Sequence, residues 1–215
     1  MDRYDPEKRV ALVVDEWGVW YEVEPGTNPS FLYQQNSLRD ALVAGLTLNI
    51  FNQHCDRVRM ANLAQTVNVL QSLILTEGEK MIVTPTYHIF DLYKVHQDAV
   101  LLPVSLECGD YTFGEKKIPA LSVSASQNEA GMIHVTVCNM DPNQEAKLLI
   151  DLRGGDNPQE IRGEVLTSPK INDHNIFTET DKVKPAALQG LKINKGMIEA
   201  VLPSKSVSLL IIKTK

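Results

Sequence analysis

An acidic pair and two tryptophans follow an apolar run near the start of this chain. Residues 10–14 read Val-Ala-Leu-Val-Val, which is typical of a strand buried on both faces, as in parallel sheets. Asp15 and Glu16 come next, with Trp17 and Trp20 just behind them. A carboxylate at the carboxyl end of a buried parallel strand, beside aromatic surface, is a frequent layout for cleaving glycosidic bonds in a barrel enzyme. The alternative is a strand end whose acid meets solvent and whose tryptophans close the core.

Composition points to an ordinary soluble globular protein of one large domain or two small ones. The 215 residues are 43% hydrophobic and 22% charged, with a net charge of -6, and such values are normal for a folded domain. The charge gives no electrostatic reason to expect a nucleic acid partner. No run of about 18 apolar residues indicates a membrane span, and the first residues lack the apolar core of a signal peptide. A cytoplasmic location is therefore expected.

The three cysteines, Cys55, Cys108 and Cys138, stand far apart without CxxC spacing. Their odd count predicts reduced thiols, mostly in the core, and mildly favours a reducing compartment. His54 and Asp56 flank Cys55, but neighbours on an extended segment point in opposite directions and no second ligand cluster accompanies them. We expect neither a metal site nor a cofactor.

Up to about residue 96, strand and helix signals alternate. A loop rich in turn residues, at 24–30, follows the first strand. A helix is predicted from Ser37, as its cap, to Asn52, because apolar residues recur there at helical spacing. A strand at 58–62 and a second helix opened by Thr84 and Pro85 complete the series. The order strand, helix, strand, helix amounts to two βα units.

From residue 97 onward the apolar period changes to two. Alternating runs at 121–125, 133–137, 146–152 and 207–211 are separated by turn signals such as Asp-Pro-Asn at 141–143. Many short strands with regular turns predict an antiparallel β-sandwich. The predicted domains are therefore 1–96 and 97–215.

Two βα units alone pose a physical difficulty. A parallel sheet needs several strands with helices on both faces, and two strands cannot supply that core. Either the first 96 residues pack on the sandwich in an unusual way, or they are the end of a larger barrel. The second alternative implies that the chain is a piece of a larger protein.

Several separate motifs resemble one glycosidase family. They are Asp-Glu-Trp-Gly-Val-Trp-Tyr at 15–21, Leu-Arg-Asp-Ala-Leu at 38–42, Met-Ala-Asn-Leu-Ala-Gln-Thr-Val-Asn at 60–68, Thr-Pro-Thr-Tyr at 84–87, and Lys-Ile-Asn-Asp-His-Asn-Ile-Phe at 170–177 followed by Val-Lys-Pro at 183–185. In order and approximate spacing they look like the C-terminal part of the family 51 α-L-arabinofuranosidases, over essentially the whole chain. The resemblance implies an α/β part, the last two βα units of a (β/α)8 TIM barrel, followed by an all-β part, an antiparallel β-sandwich.

The resemblance also implies roles for individual residues. In this family the glutamate of the first motif is the catalytic nucleophile, which assigns that role to Glu16. The aromatic residue four positions later, Trp20, would line the arabinose subsite, and Gln65 of the 60–68 motif would contact the sugar. Asn28 and Asn68 are nearby polar residues for which a sugar contact and a structural role are equally open.

The second carboxylate that a retaining glycosidase needs has no assigned position in this chain. Asp15 is expected to point toward the helix layer if Glu16 points into the catalytic mouth, because strand neighbours face opposite sides. The family's acid/base glutamate lies in an Asn-Glu motif on an earlier barrel strand. This chain has no Asn-Glu before Glu16, and its pair at 128–129 lies in a predicted sandwich turn. The isolated chain is therefore expected to hydrolyse natural arabinosides little or not at all.

Two other interpretations stay open. One is a non-catalytic β-sandwich accessory or structural module, although the second part offers few aromatic residues for carbohydrate contact (Tyr111, Phe113 and Phe177, and no tryptophan). The other is one half of a split enzyme whose partner is the N-terminal barrel part, since an exposed apolar barrel edge favours pairing. The family resemblance also implies a homo-oligomer, and it implies arabinose-containing oligosaccharides or polysaccharides as the substrates.

Overall fold

The computed structural model describes residues 1–155 and 157–214. Its α-helices are α1 (Leu38–Gln53) and α2 (Pro85–Tyr93), and short 3-10 turns lie at Pro29–Phe31 and Lys94–His96. In chain order the strands are β1 (Leu12–Trp17), β2 (Val58–Leu63), β3 (Ile74–Glu77), β4 (Lys80–Val83), β5 (Val100–Leu102), β6 (Asp110–Phe113), β7 (Lys116–Pro119), β8 (Leu121–Gln127), β9 (Ile133–Asn139), β10 (Ala146–Ile150), β11 (Pro158–Leu166), β12 (Ala186–Ala187), β13 (Lys192–Asn194), β14 (Met197–Leu202) and β15 (Ser206–Thr214).

Both predicted helices are confirmed, together with their caps. Ser37 precedes α1, and the buried carboxylate of Asp40 accepts hydrogen bonds from the Ser37 backbone N–H (2.8 Å) and hydroxyl (3.0 Å). Thr84 precedes α2, and its hydroxyl oxygen accepts from the Tyr87 backbone N–H at 3.4 Å. These bonds satisfy amide groups that have no partner inside the helix.

β1 and β2 form a two-stranded parallel sheet, and α1 connects them. The first strand begins two residues later than predicted, at Leu12, and it ends at Trp17, so it includes Glu16. The prediction that it is buried on both faces is wrong, because Leu12 and Val13 are 41% and 46% exposed, and Met60 on β2 is 55% exposed. Side chains project from the faces of a sheet, and a sheet of two strands supplies too little structure to cover both faces.

The predicted antiparallel β-sandwich is confirmed. In the described part of the chain, one sheet has the strand order β12-β11-β15-β9-β8-β5 and the second has the order β10-β14-β13. All of their pairings are antiparallel. Apolar side chains of both sheets form one core between them, among them the fully buried Ile198, Leu202, Leu210 and Ile212. The alternating pattern of the sequence therefore marks the faces that meet.

The helices cover the other face of the larger sheet. Leu38, Ile89 and Leu92 pack in one core with Val207 and Leu209 of β15. The approach is close, because a Cβ atom at Gly45 of α1 would lie 2.9 Å from Sγ of Cys138. β9 and β15 are consequently buried on both sides, and residues before and after position 97 share a core.

A buried polar network joins α1, α2 and the larger sheet. The side-chain oxygen of Asn49 accepts hydrogen bonds from the hydroxyls of Tyr93, Ser124 and Thr136, each at 2.9 Å. Asn49 is 0% exposed. The ring of His96 extends the network, with Nδ1 2.7 Å from the hydroxyl of Ser126 and Nε2 3.0 Å from that of Thr136. Burial, together with the smaller effect of the nearby His134, lowers the pKa of His96 from 6.5 to about 4.

This histidine makes stability depend on pH. A His pKa that is lower in the folded state means that the unfolded chain binds the proton more tightly. The stabilisation is present above pH 6.5 and is lost as the pH falls toward 4, by up to about 3 kcal/mol. Denaturant unfolding of the wild type and of His96→Gln between those limits measures this change. The free energy of unfolding should change less with pH in the variant than in the wild type. An equal change with pH in both proteins would assign the effect to other groups.

The cysteines differ partly from the prediction. Cys138 is buried, and burial raises the pKa of its thiol to about 12. Cys55 and Cys108 are exposed, so the expectation of mostly core thiols is wrong for these two, which lie at the end of α1 and in the extended segment before β6. Among the described residues, no helix has the length and apolar character needed to cross a membrane.

Candidate active site

Glu16 and Gln65 lie at the same edge of the parallel sheet. Glu16 is the next-to-last residue of β1, and Gln65 follows β2 by two positions. The backbone N–H of Ala64 reaches the carbonyl of Trp17 at 3.5 Å, which joins the carboxyl ends of the two strands. Both Glu16 and Gln65 are exposed. The structure therefore brings the first and third of the predicted site residues together at the edge where parallel sheets carry their chemistry.

Trp17 is partly buried and packs against the core that includes α1 and α2, so its side chain marks the face of β1 that is turned toward the helices. Its ring centroid lies 5.5 Å from that of Phe51 in an edge-on contact and 6.2 Å from that of Phe90 in a stacked one. Because strand neighbours face opposite sides, this packing favours a position of Glu16 on the face away from the helices. Asp15 is exposed rather than turned into the helix layer as expected. The strand pairing is irregular between Val14 and Trp17.

Trp20 stands on a short loop after β1, with its side chain 67% exposed. Gln34, which is 2% exposed, holds the loop on both sides of this residue. Its side-chain amide donates to the carbonyl of Val19 at 3.0 Å and accepts from the backbone N–H of Tyr21 at 2.7 Å. The loop is thus fixed at its backbone while the indole ring faces outward.

The N-terminus of α1 supports the same loop. The guanidinium of Arg39 lies 3.7 Å from the centre of the Tyr21 ring and 3.3 Å from the carboxylate of Asp40. The side-chain amide of Gln71 donates to that carboxylate at 3.1 Å. A Cβ atom at Gly18 would lie 2.9 Å from Cγ of Gln71, so the loop touches Gln71 directly at Gly18. Burial raises the pKa of the Tyr21 hydroxyl.

The late motif at 170–177 holds the start of α1. The backbone N–H groups of Leu38 and Arg39 donate to the carbonyls of Asp173 and Ile171, each at 2.9 Å. The side chain of Asn175 donates at 3.0 Å to the carbonyls of Val83 and of residue 183. The loop at 170–177 therefore anchors the N-terminus of α1, where Arg39 and Asp40 support the Trp20 loop.

Asn28 and Asn68 both have structural hydrogen bonds. The side-chain oxygen of Asn28 accepts from the backbone N–H of Ser30 at 3.0 Å and caps the 3-10 turn that follows. The amide of Asn68 donates to the hydroxyl of Thr76 at 2.8 Å and accepts from its backbone N–H, also at 2.8 Å. These contacts favour the structural alternative for both residues.

Two concavities of the described structure lie away from Glu16, Trp20 and Gln65. One, of about 270 Å³, lies between the end of α1, β2 and the turn after α2, where Phe51, Met60 and Phe90 line it. The other, of about 360 Å³, lies on the small sandwich sheet beside Leu149 and Val201. Within residues 1–155 and 157–214, no group of three or more His, Cys, Asp or Glu side chains is arranged to hold a metal ion. Glu16, Trp20 and Gln65 themselves have exposed side chains.

The sequence profile described as the alpha-L-arabinofuranosidase C-terminal domain matches residues 15–206. This chain belongs to that family. The resemblance read from the separate motifs is confirmed.

Individual relatives agree with this assignment. An intracellular exo-alpha-L-arabinofuranosidase of Bacteroides ovatus is 47% identical over 96% of the chain, which covers 40% of that protein. The crystal structure of the family 51 arabinofuranosidase from Xanthomonas axonopodis pv. citri superposes with a TM-score of 0.96 at 46% identity, over 99% of this chain and 43% of that one. A family 51 α-L-arabinofuranosidase from Bifidobacterium longum gives a TM-score of 0.82 at 27% identity, over 94% and 42%. The chain spans about two fifths of the length of the relatives it matches, and it corresponds to their C-terminal part.

Sequence reasoning missed the residues that support the Trp20 loop in this arabinofuranosidase domain: Gln34, Arg39, Asp40 and Gln71. One signal was present for Asp40, since a serine followed three positions later by an acid is a capping pattern. The run Gln-Gln-Asn-Ser at 34–37 reads as solvated loop, yet Gln34, Asn36 and Ser37 are buried. Their partners lie on other segments, which no local pattern indicates.

Proposed function

We propose that this chain carries the nucleophile of a retaining α-L-arabinofuranosidase and that Glu16 is this nucleophile. The observation that carries the proposal is the position of Glu16, at the carboxyl end of a parallel strand whose neighbour, β2, ends two residues before Gln65, in a chain of the arabinofuranosidase family. Trp20 would form an apolar wall of the arabinose subsite, and the Gln65 amide would donate to and accept from sugar hydroxyls.

The retaining mechanism requires that the carboxyl group of Glu16 is ionised. In a retaining mechanism its carboxylate attacks the anomeric carbon, the bond to the leaving oxygen breaks, and water later releases the sugar. A second carboxyl group, about 5–5.5 Å from the first, protonates the leaving oxygen and then activates water. Asp15 does not fit that role, since the adjacent position on β1 does not set two carboxyl groups across one sugar ring. The acid/base glutamate is therefore proposed to come from a segment other than residues 1–215, and the isolated chain to turn over natural arabinosides little or not at all.

We further propose that residues 1–96 are the last two βα units of a (β/α)8 barrel and that residues 97–215 form the sandwich domain. The exposed apolar side chains of Leu12, Val13 and Met60 support this proposal, because parallel barrel strands are covered on both faces. The N-terminal barrel part would pair with the free edges of β1 and β2 and complete the pocket around Glu16.

Substrates and location follow from the same assignment. Two of the relatives are named intracellular exo-arabinofuranosidases, and the name of one of them includes the 1→5 linkage. We accordingly propose arabinose-containing oligosaccharides or polysaccharides as substrates and the cytoplasm as the location, with a homo-oligomer as the proposed assembly.

The test is covalent labelling of Glu16 by a dinitrophenyl α-L-arabinofuranoside. Dinitrophenolate leaves without a proton, so Glu16 can displace it and form the glycosyl ester without an acid/base partner. Intact-mass analysis should find one added pentosyl unit on the wild type and on Asp15→Ala, and none on Glu16→Ala. Peptide mapping should place the ester on Glu16. A pentosyl unit on Glu16→Ala would refute the assignment, and no label on any variant would mean that the isolated chain lacks a formed subsite.

A further inference from the structure

One buried side chain holds the most exposed aromatic residue of the proposed site from both directions. Gln34 donates to the carbonyl of Val19 and accepts from the N–H of Tyr21, the two residues that flank Trp20. Gln34 is 2% exposed while Trp20 is 67% exposed. Exposure of the indole is therefore not a sign of a loose loop.

The chemistry of this contact is specific to an amide side chain. The carbonyl of Val19, just before Trp20, needs a donor, and the N–H of Tyr21, just after it, needs an acceptor. A carboxamide presents both from a single planar group. The pair of bonds resembles a β-ladder contact and restrains the backbone dihedrals of Trp20. Because the amide is buried, loss of either bond leaves a polar group without water to replace it.

The two ends of the loop are held as well. Gly18 lies against Gln71, and Tyr21 lies against Arg39. Both supporting side chains contact the carboxylate of Asp40, which is 0% exposed. Gln34 thus holds the middle of the loop, while both ends of the loop are held by side chains that contact Asp40 on α1.

We infer that Gln34 is a positioning residue, which fixes Trp20 as a preformed apolar wall for the furanose ring. The inference rests on the proposed function. A fixed wall lowers the ordering cost of binding, so Gln34 governs how tightly the sugar is held rather than how fast Glu16 attacks it.

The first measurement needs no substrate. Amide hydrogen exchange of Tyr21, followed by NMR, is compared in the wild type, Gln34→Met, Gln34→Glu and the control Gln35→Met. Gln35 is the neighbouring residue and its amide contacts His174 at 3.0 Å, so the control also removes an amide contact. Gln34→Met should speed Tyr21 exchange by about tenfold or more, and the control should leave it unchanged. Gln34→Glu keeps the acceptor for Tyr21 but sets an oxygen against the carbonyl of Val19, so it should also speed Tyr21 exchange, by less than Gln34→Met does. Unchanged exchange in a folded Gln34→Met would overturn the inference.

The second measurement is a double-mutant cycle on the labelling reaction. The half-saturating concentration of the dinitrophenyl arabinofuranoside should rise about fivefold to tenfold in Gln34→Met, while the maximal labelling rate stays close to that of the wild type. Trp20→Ala should raise the same concentration, and adding Gln34→Met to it should have little further effect. Full additivity, or a fall in maximal rate alone, would contradict positioning through Trp20. If the wild type is not labelled, the isolated chain lacks a formed subsite, and the exchange measurement still decides whether Gln34 fixes the loop.

Discussion

Glu16→Gln is expected to lower arabinoside hydrolysis by about 10³-fold or more in the assembled enzyme. By assembled enzyme we mean this chain co-expressed with the N-terminal part of the Bacteroides ovatus relative, the part outside the region that is 47% identical to the chain. The glutamine has the shape of the glutamate but no nucleophilic carboxylate, so the glycosyl ester cannot form. Initial rates with a nitrophenyl arabinofuranoside measure the loss, and the chain without its complement gives the background.

Asp15→Asn is the matched control, since it removes the adjacent carboxylate of β1. It should keep most of the activity of the assembled enzyme. Azide supplied to Glu16→Gly should restore release of the leaving group, with a glycosyl azide of inverted configuration as product, because a small anion then replaces the missing nucleophile. Equal losses for Asp15→Asn and Glu16→Gln, without azide rescue, would assign to Glu16 a structural rather than a nucleophilic role.

The largest effect on folding is expected for Asn49→Ala. The side-chain oxygen of Asn49 accepts from Tyr93, Ser124 and Thr136, and the variant leaves these buried hydroxyls short of an acceptor. The free energy of unfolding should fall by about 3 kcal/mol. Urea denaturation checks this as a lower midpoint at unchanged slope.

Asn52→Ala is the control one turn away on α1. Asn52 is only half-buried and donates a hydrogen bond to Ser124 at 3.0 Å, so its loss should cost about 1 kcal/mol or less. The first 96 residues share a core with β9 and β15, and a single transition is expected in both variants. Two separate transitions, or equal losses for the two asparagines, would contradict the role of the network as the link between helices and sheet.

Local patterns determined the helices because their signals are contained in a few adjacent residues. Ser37 and Thr84 indicate helix starts as cap residues, and Pro85 suits the first helical position because an N–H there would have no partner inside the helix. The period of two at 121–125 and 133–137 likewise indicates sandwich strands. The hairpin of β3 and β4 and the hairpin of β6 and β7 were not predicted from the sequence, and the order of strands in the sheets depends on long-range pairing.

Burial could not be determined in this way. The run at 10–14 has the composition of a strand buried on both faces, yet Val13 is 46% exposed. Composition indicates that a strand is suited to burial, but it does not show which other segments of the chain cover it. The same limit explains the exposed Cys55 and Cys108.

Motifs of adjacent residues were enough to identify the family, and they are the source of the proposal that Glu16, Trp20 and Gln65 form the site. The meeting of the ends of β1 and β2, and the two hydrogen bonds that join Gln34 to Val19 and Tyr21, could be seen only in the folded chain. The physical reason is that these contacts join segments about ten to fifty residues apart, and a hydrogen bond across such a distance in sequence depends on how the whole chain packs.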